Sequence, residues 1–177
     1  MWRTLIAAIF GRPTPSVSAH LDGVRQRDRS SIEVATATPR SSIPGADRDV
    51  VFLPGTGRGY FLEVTGESGY QDVLSGQWQK MRPNRETSMR LTAEPTNPGD
   101  SKAVAVQTLT GETVGYLAAA EAACYQQLIL QLDAQQLIGI CKAKLLGGTA
   151  NRTQIGVFLD VEPPTLVASK LGLTIRV

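Results

Sequence analysis

Hydrophobic and polar residues alternate with a period of two over several short stretches of the chain from Val51 onward. These stretches are rich in Val, Thr and aromatic residues and are separated by Gly, Pro and Asn clusters, a combination typical of β-strands. The alternation predicts strands over residues 60–65, 87–93, 103–108, 113–117, 137–145 and 155–161. Apolar residues at helical spacing, in a run without Gly or Pro, predict one helix over residues 117–132. Many short strands with one main inserted helix favour a mainly β fold, a small OB-like β-barrel, because a parallel sheet would need a helix after each strand.

The first 50 residues lack this alternation. Residues 11–50 are rich in Pro, Ser and Thr without sustained periodicity, which predicts a disordered, flexible linker. Ahead of it, one apolar stripe at helical spacing predicts a short amphipathic helix over residues 1–10. The stripe consists of Trp2, Leu5, Ile6, Ile9 and Phe10. The expected organisation is therefore this helix, the linker and a β-barrel domain over residues 51–177.

Three interpretations of the N-terminal helix compete. A helix that packs on the domain, on a second copy or on a protein partner needs only the apolar stripe, and this interpretation is preferred. A membrane-surface anchor ranks second because Arg3 alone supplies little attraction to anionic lipid. A secretory signal ranks third because its apolar stretch is short and Arg12 follows it.

The composition narrows the classes of function. With 42% hydrophobic and 19% charged residues, the chain is too apolar to be disordered throughout. It has no uninterrupted apolar run long enough to predict a transmembrane helix. A net charge of +2 creates no strong overall field to attract nucleic acid or anionic lipid. Any such binding therefore depends on local patches.

The chain is poor in residues that carry catalysis or bind metals. The single histidine, His20, lies in the linker, so no Ser-His-Asp or Cys-His arrangement is expected in the domain. Two cysteines and one histidine do not complete a structural zinc site. The apolar surroundings of Cys124 and Cys141 are typical of reduced core cysteines in a cytoplasmic protein. We expect no metal, no cofactor and no enzyme activity, and a hydrolase built on paired carboxylates ranks third among the hypotheses.

Two local clusters of basic residues stand out against the overall charge balance, each with at most one acid inside it. The first consists of Lys80, Arg82, Arg85 and Arg90, and the second of Lys142, Lys144 and Arg152. A solvated surface explains either cluster alone. Together on a barrel they favour a groove that follows the phosphates of a nucleic acid.

A set of linked segments gives the strongest signal. It comprises Val64-Thr65-Gly66-Glu67, Tyr70-Gln71, the turn Leu91-Thr92-Ala93-Glu94-Pro95-Thr96-Asn97-Pro98-Gly99-Asp100, Ala103-Val104-Ala105-Val106 and Val114-Gly115-Tyr116-Leu117. In order and spacing these segments resemble the HIRAN domain family over roughly residues 60–162. Pro95 and Pro98 restrict the backbone of the turn, and Asn97 and Asp100 can accept backbone N–H bonds. The turn is therefore expected to be rigid.

The resemblance implies an OB-like fold and a non-catalytic module that binds the 3′ end of single-stranded DNA. In that family the aspartate of the turn accepts the terminal hydroxyl, and two aromatic residues stack on bases. The aspartate is present here as Asp100, whereas the two aromatic positions hold Gly69 and Gly99 and a basic position holds Ser68. Loss of two stacking rings predicts binding weaker by roughly 2 to 6 kcal/mol.

The preferred hypothesis is a cytoplasmic module that binds single-stranded DNA, with a role in DNA repair or replication. Asp100 contacts a strand terminus, and Tyr70 and Tyr116 pack or stack. The proposed phosphate contacts are Arg82, Arg85, Arg90, Lys142, Lys144 and Arg152. The alternative is a protein–protein interaction module that keeps the barrel and has lost DNA binding, which agrees with the glycines at 69 and 99.

Overall fold

The structure of the protein, a computed structural model, describes residues 48–81 and 84–175. The predicted helix over residues 1–10, the linker up to residue 47 and Arg82 lie outside the described residues. The strands are β1 (Asp49–Phe52), β2 (Leu62–Thr65), β3 (Glu86–Ala93), β4 (Val104–Gln107), β5 (Thr113–Leu117), β6 (Leu137–Gly147) and β7 (Ile155–Asp160). The α-helices are α1 (Gln71–Lys80), α2 (Ala119–Ala134) and α3 (Pro164–Lys170), and a 3₁₀ helix spans Glu67–Tyr70.

Six of these strands close into a barrel. They follow the order β6-β3-β4-β5-β2-β7, and β7 pairs with β6 again to complete the ring. Every neighbouring pair in the ring is antiparallel, while β1 adds a parallel pairing to the first residues of β6. The structure is thus mainly β with a closed OB-like barrel, which confirms the fold predicted from the alternation.

Alternation along the strands fills the barrel. On β6, Cys141, Ala143 and Leu145 are fully buried, whereas Lys142 between them is exposed. Helix α2 packs against the barrel through Leu128, Ile129 and Leu132 among others, all buried. The result is one continuous hydrophobic core shared by the strands and α2.

The described residues also contain elements that the alternation did not predict. Strand β1 begins at Asp49, just before the predicted start of the domain at Val51. Helix α1 has only Leu74 fully buried, so its apolar stripe is weak, and helix α3 begins with Pro164 in its first turn, where proline is well tolerated. Within the described ranges, no helix has the length and apolar character needed to cross a membrane.

Candidate nucleic-acid interface

The loop between β3 and β4 is braced by the side chain of Asn97. Its Nδ2 donates to Glu94 Oε2 at 2.7 Å, and its Oδ1 accepts the N–H groups of Gly99 at 2.9 Å and Asp100 at 3.3 Å. Asp100 Oδ1 in turn accepts the N–H of Lys102 at 2.8 Å. These bonds within the turn hold an exposed carboxylate in a defined direction.

A cavity of about 360 Å³ opens between this turn and the end of β5. Asp100 and Tyr116 both line it. Tyr116 lies on the outer wall of the barrel because Leu117, the next residue on β5, is buried in the core and successive side chains of a strand point to opposite faces. Its strand partners are Ala105 on β4 and Thr65 on β2. The structure therefore brings together two residues that lie in separate segments of the sequence.

Tyr70 extends this site. The 3₁₀ helix that ends at Tyr70 begins after Gly66, whose φ of 79° is readily adopted by glycine. The rings of Tyr70 and Tyr116 are tilted by 54° with centroids 6.4 Å apart, within the usual range for an aromatic pair. Hydrogen bonding with Tyr70, burial and the negative charge of Glu94 together raise the pKa of Tyr116 to about 12. The hydroxyl of Tyr116 therefore stays protonated at neutral pH.

The two glycines at the expected aromatic positions leave open space. A Cβ added at Gly69 would meet no heavy atom within 4 Å. One added at Gly99 would have Asn97 Oδ1 as its neighbour at 3.4 Å. Neither glycine has its φ in the left-handed region, and Gly99 itself lines the cavity. The site is therefore wider and has fewer stacking surfaces than the family resemblance predicts.

Arg90 is the basic residue of the first cluster that lies on β3. It pairs with Gln107 on β4, and the next outward position on β3, Thr92, pairs with Ala105, which pairs with Tyr116. From the usual strand spacing and rise, the Cα atoms of Arg90 and Tyr116 are about 12 Å apart. The long side chain of Arg90 can span much of that distance and reach the part of a bound ligand that extends out of the cavity.

Arg85 is engaged in packing. Its guanidinium carbon lies 3.4 Å from the centroid of the Trp78 ring, and Nη1 donates to the Trp78 carbonyl oxygen at 2.7 Å. Its backbone has a φ of 58°, which is uncommon for a residue with a side chain. On Gly148, an added Cβ would lie only 2.7 Å from the Trp78 ring. Trp78 thus fixes α1 against the strand ends on both sides.

The two lysines of the second cluster lie on β6. Lys144 Nζ is 3.6 Å from Glu86 Oε1 and 5.7 Å from the ring centroid of Tyr60, and Lys142 pairs with Asp160 in the sheet. Strand β6 is three positions from β5 in either direction around the six-stranded ring. The structure therefore does not bring these lysines together with Asp100 and Tyr116, as a single groove would require.

Arg152 lies at a second cavity, of about 500 Å³. This cavity lies between the 3₁₀ helix, which contributes Glu67 and Ser68, and the loop that joins β6 to β7, which contributes Arg152. The 3₁₀ helix therefore borders both sites, because Tyr70 at its end contacts Tyr116. Arg152 lines the same cavity as Ser68, the residue at the position where the family resemblance predicts a basic residue.

Sequence reasoning missed two charged residues near the turn. Lys102 is exposed, and its backbone N–H bonds to Asp100 Oδ1, which places this residue next to the carboxylate. Glu94 lies near Tyr116 and adds negative charge. Both residues lie in or beside the turn segment, and this position in the motif could have indicated that they belong to the site. No group of three or more His, Cys, Asp or Glu side chains suited to a metal ion occurs in the part of the chain that the structure describes.

The fold class of this protein is a closed OB-like barrel with a braced turn at its rim. The family model of the HIRAN domain matches residues 50–162. The chain belongs to the HIRAN domain family, as the motif set indicated. No curated protein matches it.

Three solved structures are similar to the chain. A crystal structure of a protein from Lactobacillus plantarum has 21% identity and a TM-score of 0.37, covering 55% of this chain and 86% of that one. The crystal structure of the HIRAN domain of human HLTF has 19% identity and a TM-score of 0.27, with 51% and 74% covered. An NMR structure of the HLTF HIRAN domain has 18% identity and a TM-score of 0.30, with 64% and 84% covered.

Proposed function

We propose that this protein is a non-catalytic module that binds nucleic acid, specifically the 3′ end of single-stranded DNA, at the cavity formed by Asp100 and Tyr116. The observation that carries the proposal is a braced, exposed carboxylate that shares one cavity with Tyr116, whose ring pairs with that of Tyr70. One carboxylate oxygen of Asp100 accepts the Lys102 N–H, which leaves the other to accept a ligand hydroxyl. A module with this specificity would serve DNA repair or replication.

The charges at the cavity favour a hydroxyl over a phosphate at the strand end. Asp100 lines the cavity, and Glu94 lies near enough to Tyr116 to raise its pKa. Two carboxylates repel a terminal phosphate, whereas each accepts a hydrogen bond from a hydroxyl. Selectivity for the free 3′ hydroxyl thus follows from the charge of the site.

The strand's internal phosphates have two cationic partners near the cavity. Arg90 lies on β3, on the outer wall of the barrel, and Lys102 is two residues after Asp100, whose carboxylate accepts its backbone N–H. Each phosphate neutralised on a single strand contributes about −0.7 to the slope of log K against log salt, so two contacts predict a slope of about −1.4. A much steeper slope would require the more distant lysines of β6 as well.

Fluorescence anisotropy with a labelled oligonucleotide tests the proposal. A strand with a 3′ hydroxyl should bind at least tenfold more tightly than the same strand with a 3′ phosphate. Asp100→Asn keeps an oxygen for the Lys102 N–H and removes the charge, so it should abolish most of this difference. The matched control is Asp72→Asn, because Asp72 is exposed on α1 and lines neither cavity. Equal affinity for both ends, or no binding at low salt, would contradict the proposal.

A second candidate is the protein–protein interaction module. It is favoured by two exposed leucines, Leu130 on α2 and Leu166 on α3, which have 40% and 52% of their surface accessible on helices that contact each other. Exposed apolar side chains on adjacent elements are common at protein contacts. If neither oligonucleotide binds at low salt, this candidate replaces DNA binding.

A further inference from the structure

The second cavity has a glycine in its wall. Gly156 lies on β7, where Ile155 and Val157 on either side are buried in the core, so position 156 faces outward. A Cβ added at Gly156 would lie 3.5 Å from Arg152 Nη2, 3.5 Å from Phe158 Cε2 and 3.7 Å from Glu67 Oε1. A guanidinium, an aromatic edge and a carboxylate therefore face the same small space. We call this space the Gly156 notch.

Hydrogen bonds hold the walls of the notch in place. Glu67 Oε1 accepts the N–H of Val157 at 3.3 Å, which ties the 3₁₀ helix to β7. Gln71 strengthens this tie, since its Oε1 accepts the Ile155 N–H at 2.9 Å and its Nε2 donates to the Ile155 carbonyl at 3.0 Å. On the opposite wall, the Arg152 N–H donates to the carbonyl of Thr149 at 3.1 Å. The notch is thus largely formed before any ligand arrives.

The charges at the notch disfavour a phosphate. Glu63 and Glu67 both line the second cavity, against Arg152 as its one cation among the described lining residues. No ion pair joins Glu67 to Arg152 within the described chain, so both groups can face a ligand. A ligand that pairs with both must present donors beside acceptors. Nucleobase edges do this, whereas a phosphate offers acceptors alone.

Guanine fits this arrangement best among the four bases. Its N1–H and N2–H groups are adjacent donors for a carboxylate, and its O6 and N7 are the acceptors that arginine pairs with. Thymine has a single N–H donor between two carbonyl groups. The aromatic edge of Phe158 and the guanidinium plane of Arg152 add surfaces for contact with the base.

We propose that the Gly156 notch binds a base of the single strand and prefers guanine. This inference rests on the proposed function, because the strand reaches the notch from the Asp100 cavity across the 3₁₀ helix. The phosphates stay outside the second cavity, and the base enters it.

A guanine scan tests the inference by fluorescence anisotropy. An oligo-thymidine strand with a free 3′ hydroxyl is compared with strands that carry one guanine at each of the positions nearest that end. One position should raise the affinity roughly tenfold, as expected for a well-placed pair of hydrogen bonds to a base. Adenine and cytosine at that position should raise it less.

Variants link the preference to the notch. Arg152→Ala should abolish the guanine preference, whereas Arg58→Ala, at an exposed arginine outside both cavities, should keep it. Gly156→Ala should also abolish it without unfolding the domain, because the added Cβ makes ordinary contacts of 3.5 Å and more. Strands that bind equally well with any base, or an Arg152→Ala variant that keeps the preference, would overturn the inference alone. Failure of every strand to bind would overturn the proposed function and this inference with it.

Discussion

Replacing Gly99 with tyrosine should strengthen DNA binding. Gly99 lines the cavity next to Asp100, and its φ lies outside the left-handed region, so a side chain is allowed there. The added Cβ would have Asn97 Oδ1 as its neighbour at 3.4 Å, which is an ordinary contact. The N–H that Gly99 donates to Asn97 is a backbone group and survives the change. The brace of the turn should therefore remain intact.

The expected gain follows from base stacking. An aromatic ring that stacks on a base contributes about 1 to 3 kcal/mol, which corresponds to roughly 5-fold to 150-fold in affinity. Fluorescence anisotropy with a short single strand bearing a free 3′ hydroxyl measures this gain. The control is Gly76→Tyr, since Gly76 lies on α1 in open space and lines neither cavity.

Two results would refute the reasoning behind this prediction. If Gly99→Tyr leaves the affinity unchanged while the protein stays folded, bases do not pass this position. If Gly76→Tyr raises the affinity by the same factor, the gain comes from a nonspecific aromatic contact. A gain confined to the Gly99 variant, and lost again with a 3′ phosphate, is the expected outcome.

Two further predictions concern stability and titration. Trp78→Ala should lower the free energy of unfolding by about 3 kcal/mol, because it removes a half-buried ring and the stacking partner of Arg85. Urea unfolding followed by circular dichroism measures this, and a change within about 0.5 kcal/mol would contradict the packing role of Trp78. Hydrogen bonding to its tyrosine neighbour, then burial, raises the pKa of Tyr116 from 10.0 to about 12. The associated stabilisation is therefore present below pH 10.0 and is lost as the pH rises through about 12. The pKa values of Tyr60 and Tyr125 are also raised, chiefly by burial, so absorbance at ultraviolet wavelengths should show several late tyrosine titrations. Tyr116→Phe should remove one of them, and an unchanged titration curve would contradict the assignment.

Most of the barrel is predictable from the sequence because side chains along a strand point alternately inward and outward. The predicted strand over 113–117 coincides with β5, and α2 starts and ends two residues later than the predicted helix over 117–132. That start moves to Ala119 because Leu117 still pairs with Val64 in the sheet. Helix α1 was not predicted, because its single fully buried residue, Leu74, is followed by Ser75 and Gly76.

The candidate site was predictable from the sequence only in part. The braced turn follows from local proline and asparagine chemistry, which needs no knowledge of the rest of the fold. The directions of the basic side chains depend on how the barrel closes, and closure places Lys142 and Lys144 on β6, opposite β5. The contact of Arg85 with Trp78 depends on a positive φ that no sequence pattern indicated.

The most direct test of the account is an NMR titration of the isotope-labelled full chain with a short, unlabelled single strand bearing a free 3′ hydroxyl. The account predicts that the amide signals of Asn97, Asp100, Lys102 and Tyr116 shift together as the strand is added. Shifts confined to the α2–α3 surface around Leu130 and Leu166, with none in the turn, would contradict it.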